Sequence, residues 1–251
     1  MPASPFALTG RRALVTGSSQ GIGLALARAL AQAGATVVLN GRDPARLAAA
    51  AESLRAESIE VHTHAFDVTD EAAVVAASAS LGAIDILVNN TGIHRRGPLE
   101  TMPLADWEAV LKTNLTSAFL VARAVAPGMI TRRTGKIINV CSLMSDLARP
   151  TTGNYAAAKG GLKMLTRAMC AEWAQHNVQV NALAPGYILT ELTQPLAADA
   201  KFDAWIKART PAGRWGSVAD LAGAAVFLAS PAADFINGQI LTVDGGLSAV
   251  I

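Results

Sequence analysis

Short apolar runs alternate with longer helical patterns along almost the whole chain, and that alternation constrains the fold more than any other feature. The runs lie at residues 12–16, 36–40, 61–66, 84–89, 136–141, 178–183 and 240–243. Most are apolar at consecutive positions, as expected of strands covered on both faces. Helical patterns fill 21–33, 44–57, 70–80, 103–129, 152–175 and 218–228. Strands and helices in this order build a parallel, doubly wound α/β sheet. Residues 190–209 read as a further helical segment outside the alternation. No repeat, linker or compositional shift divides the 251 residues, so 1–251 is expected to be a single domain. Ligands of such sheets bind beyond the carboxyl ends of the strands, and chemistry is sought there.

The chain is 51% hydrophobic and 16% charged, against about 25% charged in an average soluble domain. This excludes disorder and a coiled coil, and implies that much surface is buried in a large core or between subunits. A net charge of +2 without a basic run argues against a nucleic-acid partner. Cys141 and Cys170 are too few for a disulfide scaffold or a zinc site, and read as the reduced thiols of a cytoplasmic protein. No ligand cluster points to a metal. Residues 1–9 lack the apolar core of a signal peptide, and Arg123 and Pro127 interrupt the apolar stretch around 115–130. Neither secretion nor a membrane span is expected.

The first strand runs into a loop containing Gly17, Ser19, Gln20, Gly21, Ile22 and Gly23, followed by an apolar-periodic helix. Glycines let the backbone turn tightly and approach a pyrophosphate, and the helix N-terminus offers free N–H groups to the anion. No Lys-Ser/Thr pair follows Gly23, which disfavours an ATP loop. The second strand ends at Arg42 rather than at an acidic residue. A guanidinium suits the 2′-phosphate of NADP, whereas NAD selection calls for a carboxylate on the ribose. Asp43 is the contrary sign, although it also stands where an N-cap is wanted before Pro44. NADP is therefore the expected cofactor, with NAD as the alternative. Asp67 and Val68 follow the third strand, where the carboxylate could meet an adenine amino group or cap the next helix, in competition with Thr69 and Asp70. Asn90 and Gly92 follow the fourth, where amide and small side chains tie strand ends together and leave room for a cofactor.

Ser142 lies just past the fifth strand. Tyr155 and Lys159 are four residues apart, one turn along a helix face. A lysine cation beside a phenol favours the phenolate and fits it for acid–base work. Ser142 could hold a substrate oxygen while a hydride moves. Arg95 and Arg96 beyond the fourth strand could pair with a substrate carboxylate. Asp146, Arg149 and Asn154 surround the Ser142–Tyr155 loop and could meet substrate polar groups. His94 reads as a structural hydrogen-bonder, Cys141 as core, and His62, His64 and His176 carry no assignment.

These motifs together resemble the short-chain dehydrogenase/reductase family over essentially the full length. The resemblance implies a Rossmann-type fold with seven parallel strands and a homotetramer. It implies Tyr155 as acid/base, Ser142 as the group orienting the substrate oxygen, and Lys159 on the nicotinamide ribose. Asn114 would hold a water linking Lys159 to solvent, and Pro185, Gly186, Ile188 and Thr190 would line the nicotinamide. Residues 190–209, with Phe202, Trp205 and Ile206, would form a substrate lid, unless the aromatics are a core stripe. Thr91 departs from the usual alanine. Gln20 stands where many NADP-using members are basic, which leaves Arg42 as the main phosphate ligand. Segments 92–96, 136–142, 155–166 and 185–187 resemble the sugar-acid branch of the family, whose members interconvert D-gluconate and 5-keto-D-gluconate. A small-molecule sugar acid is the expected substrate. A 3-oxoacyl thioester reductase, another sugar or polyol dehydrogenase, and a nucleotide-sensing protein without turnover are the alternatives.

Overall fold

The computed structural model describes residues 4–250. One parallel sheet of seven strands organises the molecule: β1 (Arg12–Val15), β2 (Thr36–Gly41), β3 (Val61–Ala65), β4 (Ile86–Asn89), β5 (Gly135–Val140), β6 (Val178–Pro185) and β7 (Ile240–Val243). Their order is β3-β2-β1-β4-β5-β6-β7. The chain therefore reverses its direction of winding between β1 and β4, where the strand ends open a crevice. The expected fold class and strand count are borne out.

Alternate residues of each strand feed two apolar layers. Ala13, Val15, Val37, Leu39, Ile86 and Val88 face α1 (Gly21–Gln32) and α2 (Pro44–Arg55) on one side. Leu14, Val38, Leu87 and Ile137 face α3 (Glu71–Leu81), α5 (Ser117–Arg132) and α6 (Gly153–Trp173) on the other. Burial on both faces explains why these strands are apolar without alternation. Asp43 and Asp70 cap α2 and α3, each accepting from two backbone N–H groups in the first turn. Asp43 is thereby accounted for as a cap.

The expected helix at 103–129 proves to be two. α4 (Leu104–Leu111) passes through a π turn, Lys112–Thr116, into α5. Periodicity does not reveal the extra residue because both halves keep apolar faces. The helical run Leu104–Arg132 is 29 residues long and apolar enough to cross a membrane by length and composition, and half of its most apolar window is buried within the fold. β4 starts two residues later than expected, because Asp85 turns its carboxylate back to the N–H of Arg12. Two short helices follow β6, α7 (Gln194–Ala197) and α8 (Ala200–Arg209), before α9 (Ala222–Ala229).

Leu26 is fully buried on α1 against the sheet. Leu26→Ala should lower unfolding stability by about 2–5 kcal/mol, read as a shift of the urea midpoint without a change in slope.

Candidate active site

The crevice between the ends of β1 and β4 is a cleft of about 520 Å³. Its shape depends on contacts that only small residues allow. A side-chain carbon on Gly23 would meet Asn90 Nδ2 and Gly17 O at 2.4 Å. Gly17 and Gly21 have φ of +60° and +56°, in the left-handed region. The Asn90 amide donates to both Thr16 O and Gly17 O at 3.0 Å, and the Thr16 hydroxyl accepts from the N–H groups of Asn90 and Thr91. From β2, Asn40 Oδ1 accepts from Gly17 N–H. The loop is thus clamped from both neighbouring strands.

The α1 N-terminus has no side-chain cap, which leaves its N–H groups available to an anion. Gln20 Oε1 and Thr91 Oγ1 are buried without hydrogen-bond partners. Orphaned polar atoms above a glycine cradle are what a bound dinucleotide would complete. The cleft wall comprises Gly17, Ser19, Gln20, Gly21, Ile22, Arg42, Asp67, Val68, Asn90, Gly92, Ser142, Tyr155, Lys159, Pro185, Gly186, Ile188 and Thr190. Every residue expected to touch the cofactor stands on this wall. Arg42 is largely exposed and lies 3.5 Å from Asp67. Burial works against ionisation of Asp67, but hydrogen bonds from the N–H and hydroxyl of Thr69, together with Arg42, hold its carboxyl below the usual range.

Ser142, Tyr155 and Lys159 all stand on the cleft wall. Ser142 Oγ caps a short 3-10 turn by accepting from Met144 N–H at 3.2 Å. That leaves the hydroxyl proton free to donate. Lys159 is buried; its ammonium donates to Val140 O at 2.6 Å and sits 5.7 Å from the centre of the Tyr155 ring. Asn114, on the π turn, is buried outside the cleft wall. Its amide accepts from Ile93 N–H at 2.7 Å and donates to Ile93 O at 2.9 Å. Insertions of this kind recur at functional sites because they re-aim a side chain without ending the helix.

The candidate substrate groups divide. None of Arg95, Arg96 and Arg149 lines the cleft itself, and Arg95 is in addition engaged in an ion pair with Asp106 at 2.5 Å. Asn154 is fully buried, donates to Arg95 O at 2.8 Å and accepts from Tyr155 N–H, so it fixes the backbone and is not free to meet substrate. Asp146 is occupied by Lys163. Arg96 and Arg149 lie close enough to repel, and burial together with Arg149 holds Arg96 below its ordinary value. Among the described residues neither has a carboxylate at ion-pair distance. Arg149 donates to the Tyr187 hydroxyl at 3.2 Å and stacks over Phe202 at 4.5 Å. Tyr187, Phe202, Trp205 and Trp215 form one aromatic cluster, so the α8 aromatics are not a simple core stripe, although Ile206 is fully buried.

His94 departs from expectation. It makes no hydrogen bond to a described residue; its ring lies flat on Tyr155, with centroids 4.6 Å apart and planes 10° from parallel. Burial, then Arg96 and Arg149, push its pKa down to about 4. Its placement beside the Arg95-Arg96 pair was the only signal in the sequence, and that does not disclose a stack formed across 61 positions.

Residues 17–248 match the family model described as enoyl-(acyl carrier protein) reductase, a short-chain dehydrogenase model. The chain belongs to the short-chain dehydrogenase/reductase family. It is 52% identical over 247 residues to gluconate 5-dehydrogenase of Gluconobacter oxydans, covering 97% of this chain and 96% of that enzyme. A 2-dehydro-3-deoxy-D-gluconate 5-dehydrogenase of Formosa agariphila is 47% identical, over 98% and 96% of the two chains. Among solved structures, gluconate 5-dehydrogenase of Burkholderia cenocepacia in complex with NADP and tartrate superimposes with a TM-score of 0.95 at 54% identity, over 98% of each chain.

Gly23→Ala should weaken NADPH binding by at least about tenfold, measured by fluorescence titration, while circular dichroism retains the helical signature.

Proposed function

We propose that this protein is an NADP-dependent oxidoreductase that interconverts 5-keto-D-gluconate and D-gluconate. The observation that carries the substrate class is the Arg96–Arg149 pair, two guanidiniums around His94, whose ring stacks on Tyr155, without a protein carboxylate among the described residues to neutralise them. A substrate carboxylate would supply the missing charge. The activities of the Gluconobacter and Burkholderia relatives agree with a sugar acid.

NADP would lie along the cleft with its pyrophosphate at the α1 N-terminus and its 2′-phosphate at Arg42. Asp67 and Val68 would flank the adenine, and Pro185, Gly186, Ile188 and Thr190 the nicotinamide. When bound, the reduced cofactor supplies a hydride to C5. Tyr155 gives its hydroxyl proton to the C5 carbonyl oxygen, and Ser142 donates a hydrogen bond to the same oxygen. The carbonyl gains one hydride and one proton and becomes the alcohol; oxidation reverses both transfers. Lys159 places a cation beside the phenol as its proton leaves. The amide of Asn114 is engaged with Ile93, so its main chain is the part assigned to a proton relay.

Residues 190–209 act as the lid, whose Phe202 stacks on Arg149 while Tyr187, just before the lid, accepts its hydrogen bond. The working form is a cytoplasmic homotetramer. Exposed Leu104, Phe119 and Met164 on α4 to α6, and Phe235, support subunit pairing.

NADPH consumption with 5-keto-D-gluconate should exceed that with NADH or with an acetoacetyl thioester. Turnover of the thioester alone would discard the sugar-acid reading and keep the fold. Tyr155→Phe should lower kcat by about 10²–10⁴-fold, with the NADPH dissociation constant unchanged. A variant retaining full turnover would overturn the proton-transfer role.

A further inference from the structure

The hydride-transfer reading leaves His94 without a task. Its imidazole covers one face of the Tyr155 phenol in a near-parallel stack. Stacking alone would be served equally by phenylalanine, and two observations point to more. Nδ1 of His94 is buried and has no hydrogen-bond partner among the described residues. A buried polar atom left unpaired is costly, and such atoms are ordinarily completed by a ligand or a water. The ring also keeps company with two guanidiniums, Arg96 and Arg149. With its pKa near 4 it is neutral at neutral pH, and a neutral imidazole has one donor and one acceptor. A hydroxyl group has the matching pair.

Position narrows the ligand further. His94 touches the group assigned to the ketone oxygen and lies within electrostatic reach of both groups assigned to the carboxylate. In 5-keto-D-gluconate, the carbons between the carboxylate and the C5 ketone are C2, C3 and C4, and each bears a hydroxyl. We propose that His94 selects hydroxylated substrates, binding one of these hydroxyls through a ring nitrogen while its face keeps the Tyr155 phenol in place. This inference rests on the sugar-acid reading above.

The test compares wild type, His94→Phe and His94→Gln. Phenylalanine keeps an aromatic face without nitrogens; glutamine keeps a donor and an acceptor without the ring. Each is assayed with NADPH and 5-keto-D-gluconate, and 5-oxohexanoate serves as a competitive inhibitor. That compound keeps the carboxylate and the C5 ketone and lacks the hydroxyls at C2, C3, C4 and C6, so it is compared with itself across the variants. His94→Phe should raise KM for 5-keto-D-gluconate about tenfold with kcat within about twofold, the loss of one net hydrogen bond. The inhibition constant of 5-oxohexanoate should stay within about twofold, and His94→Gln should recover most of the KM. An unchanged KM in His94→Phe overturns the proposal, as does an equal rise for both compounds or a failure of glutamine to restore binding. Melting curves and NADPH titration check folding, and His94→Leu makes the same comparison if the phenylalanine variant does not fold. A wild type inactive on 5-keto-D-gluconate removes the functional reading and this inference together; an active wild type with unaltered variants removes the inference alone.

Discussion

The double hydrogen bond from the Asn90 amide to Thr16 O and Gly17 O joins the ends of β1 and β4 where the winding of the chain reverses. Strands diverge at such a point, and backbone carbonyls left there without partners would be costly. The amide satisfies both and sets the width of the crevice. It also explains why position 23 must be glycine, since Asn90 Nδ2 fills the space a side chain would take. The phosphate loop, the cofactor cleft and the first residues of the 90–96 segment all take their places from this contact.

A second set of ties carries order from the cleft to the reacting groups. Asn114 grips Ile93 at both its N–H and its carbonyl, and Asn154 grips Arg95 O while accepting from Tyr155 N–H. Two buried amides therefore hold the segment bearing His94, Asn114 against the π turn and Asn154 against the helix that bears Tyr155. Arg149 is treated similarly, between the Tyr187 hydroxyl and the Phe202 ring. Side chains held by several directional contacts lose little freedom when substrate arrives. α8 and the loop before α6 thereby share one guanidinium, so displacement of α8 would remove one of the contacts that hold it.

The sheet was legible because its strands are buried on both faces and leave apolar runs in the chain, as in Ala13, Leu14 and Val15. Most of the cleft wall was legible because its contributors follow strand ends, where topology places ligand contacts regardless of detail; Tyr155 and Lys159, within α6, were legible from their one-turn spacing. What lay hidden depended on pairing between distant side chains. Arg95 and Arg96 are adjacent and chemically identical, yet Asp106 engages one and not the other. Asn154 was expected to meet substrate polar groups and lies fully buried. The stack of His94 on Tyr155 has no local signature. The π turn was invisible because the two halves it joins each keep an apolar face.

That turn governs how α4 and α5 divide their duties. Each residue in a helix advances the side-chain direction by about 100°. The inserted residue resets this phase, so α4 packs on α6 while α5 faces β4 and β5. Asn114 stands at the seam. Loss of a single residue here would rotate one half of the helix against the other, and no side-chain substitution could compensate. In this stretch the count of residues is as much a determinant of the site as their identity.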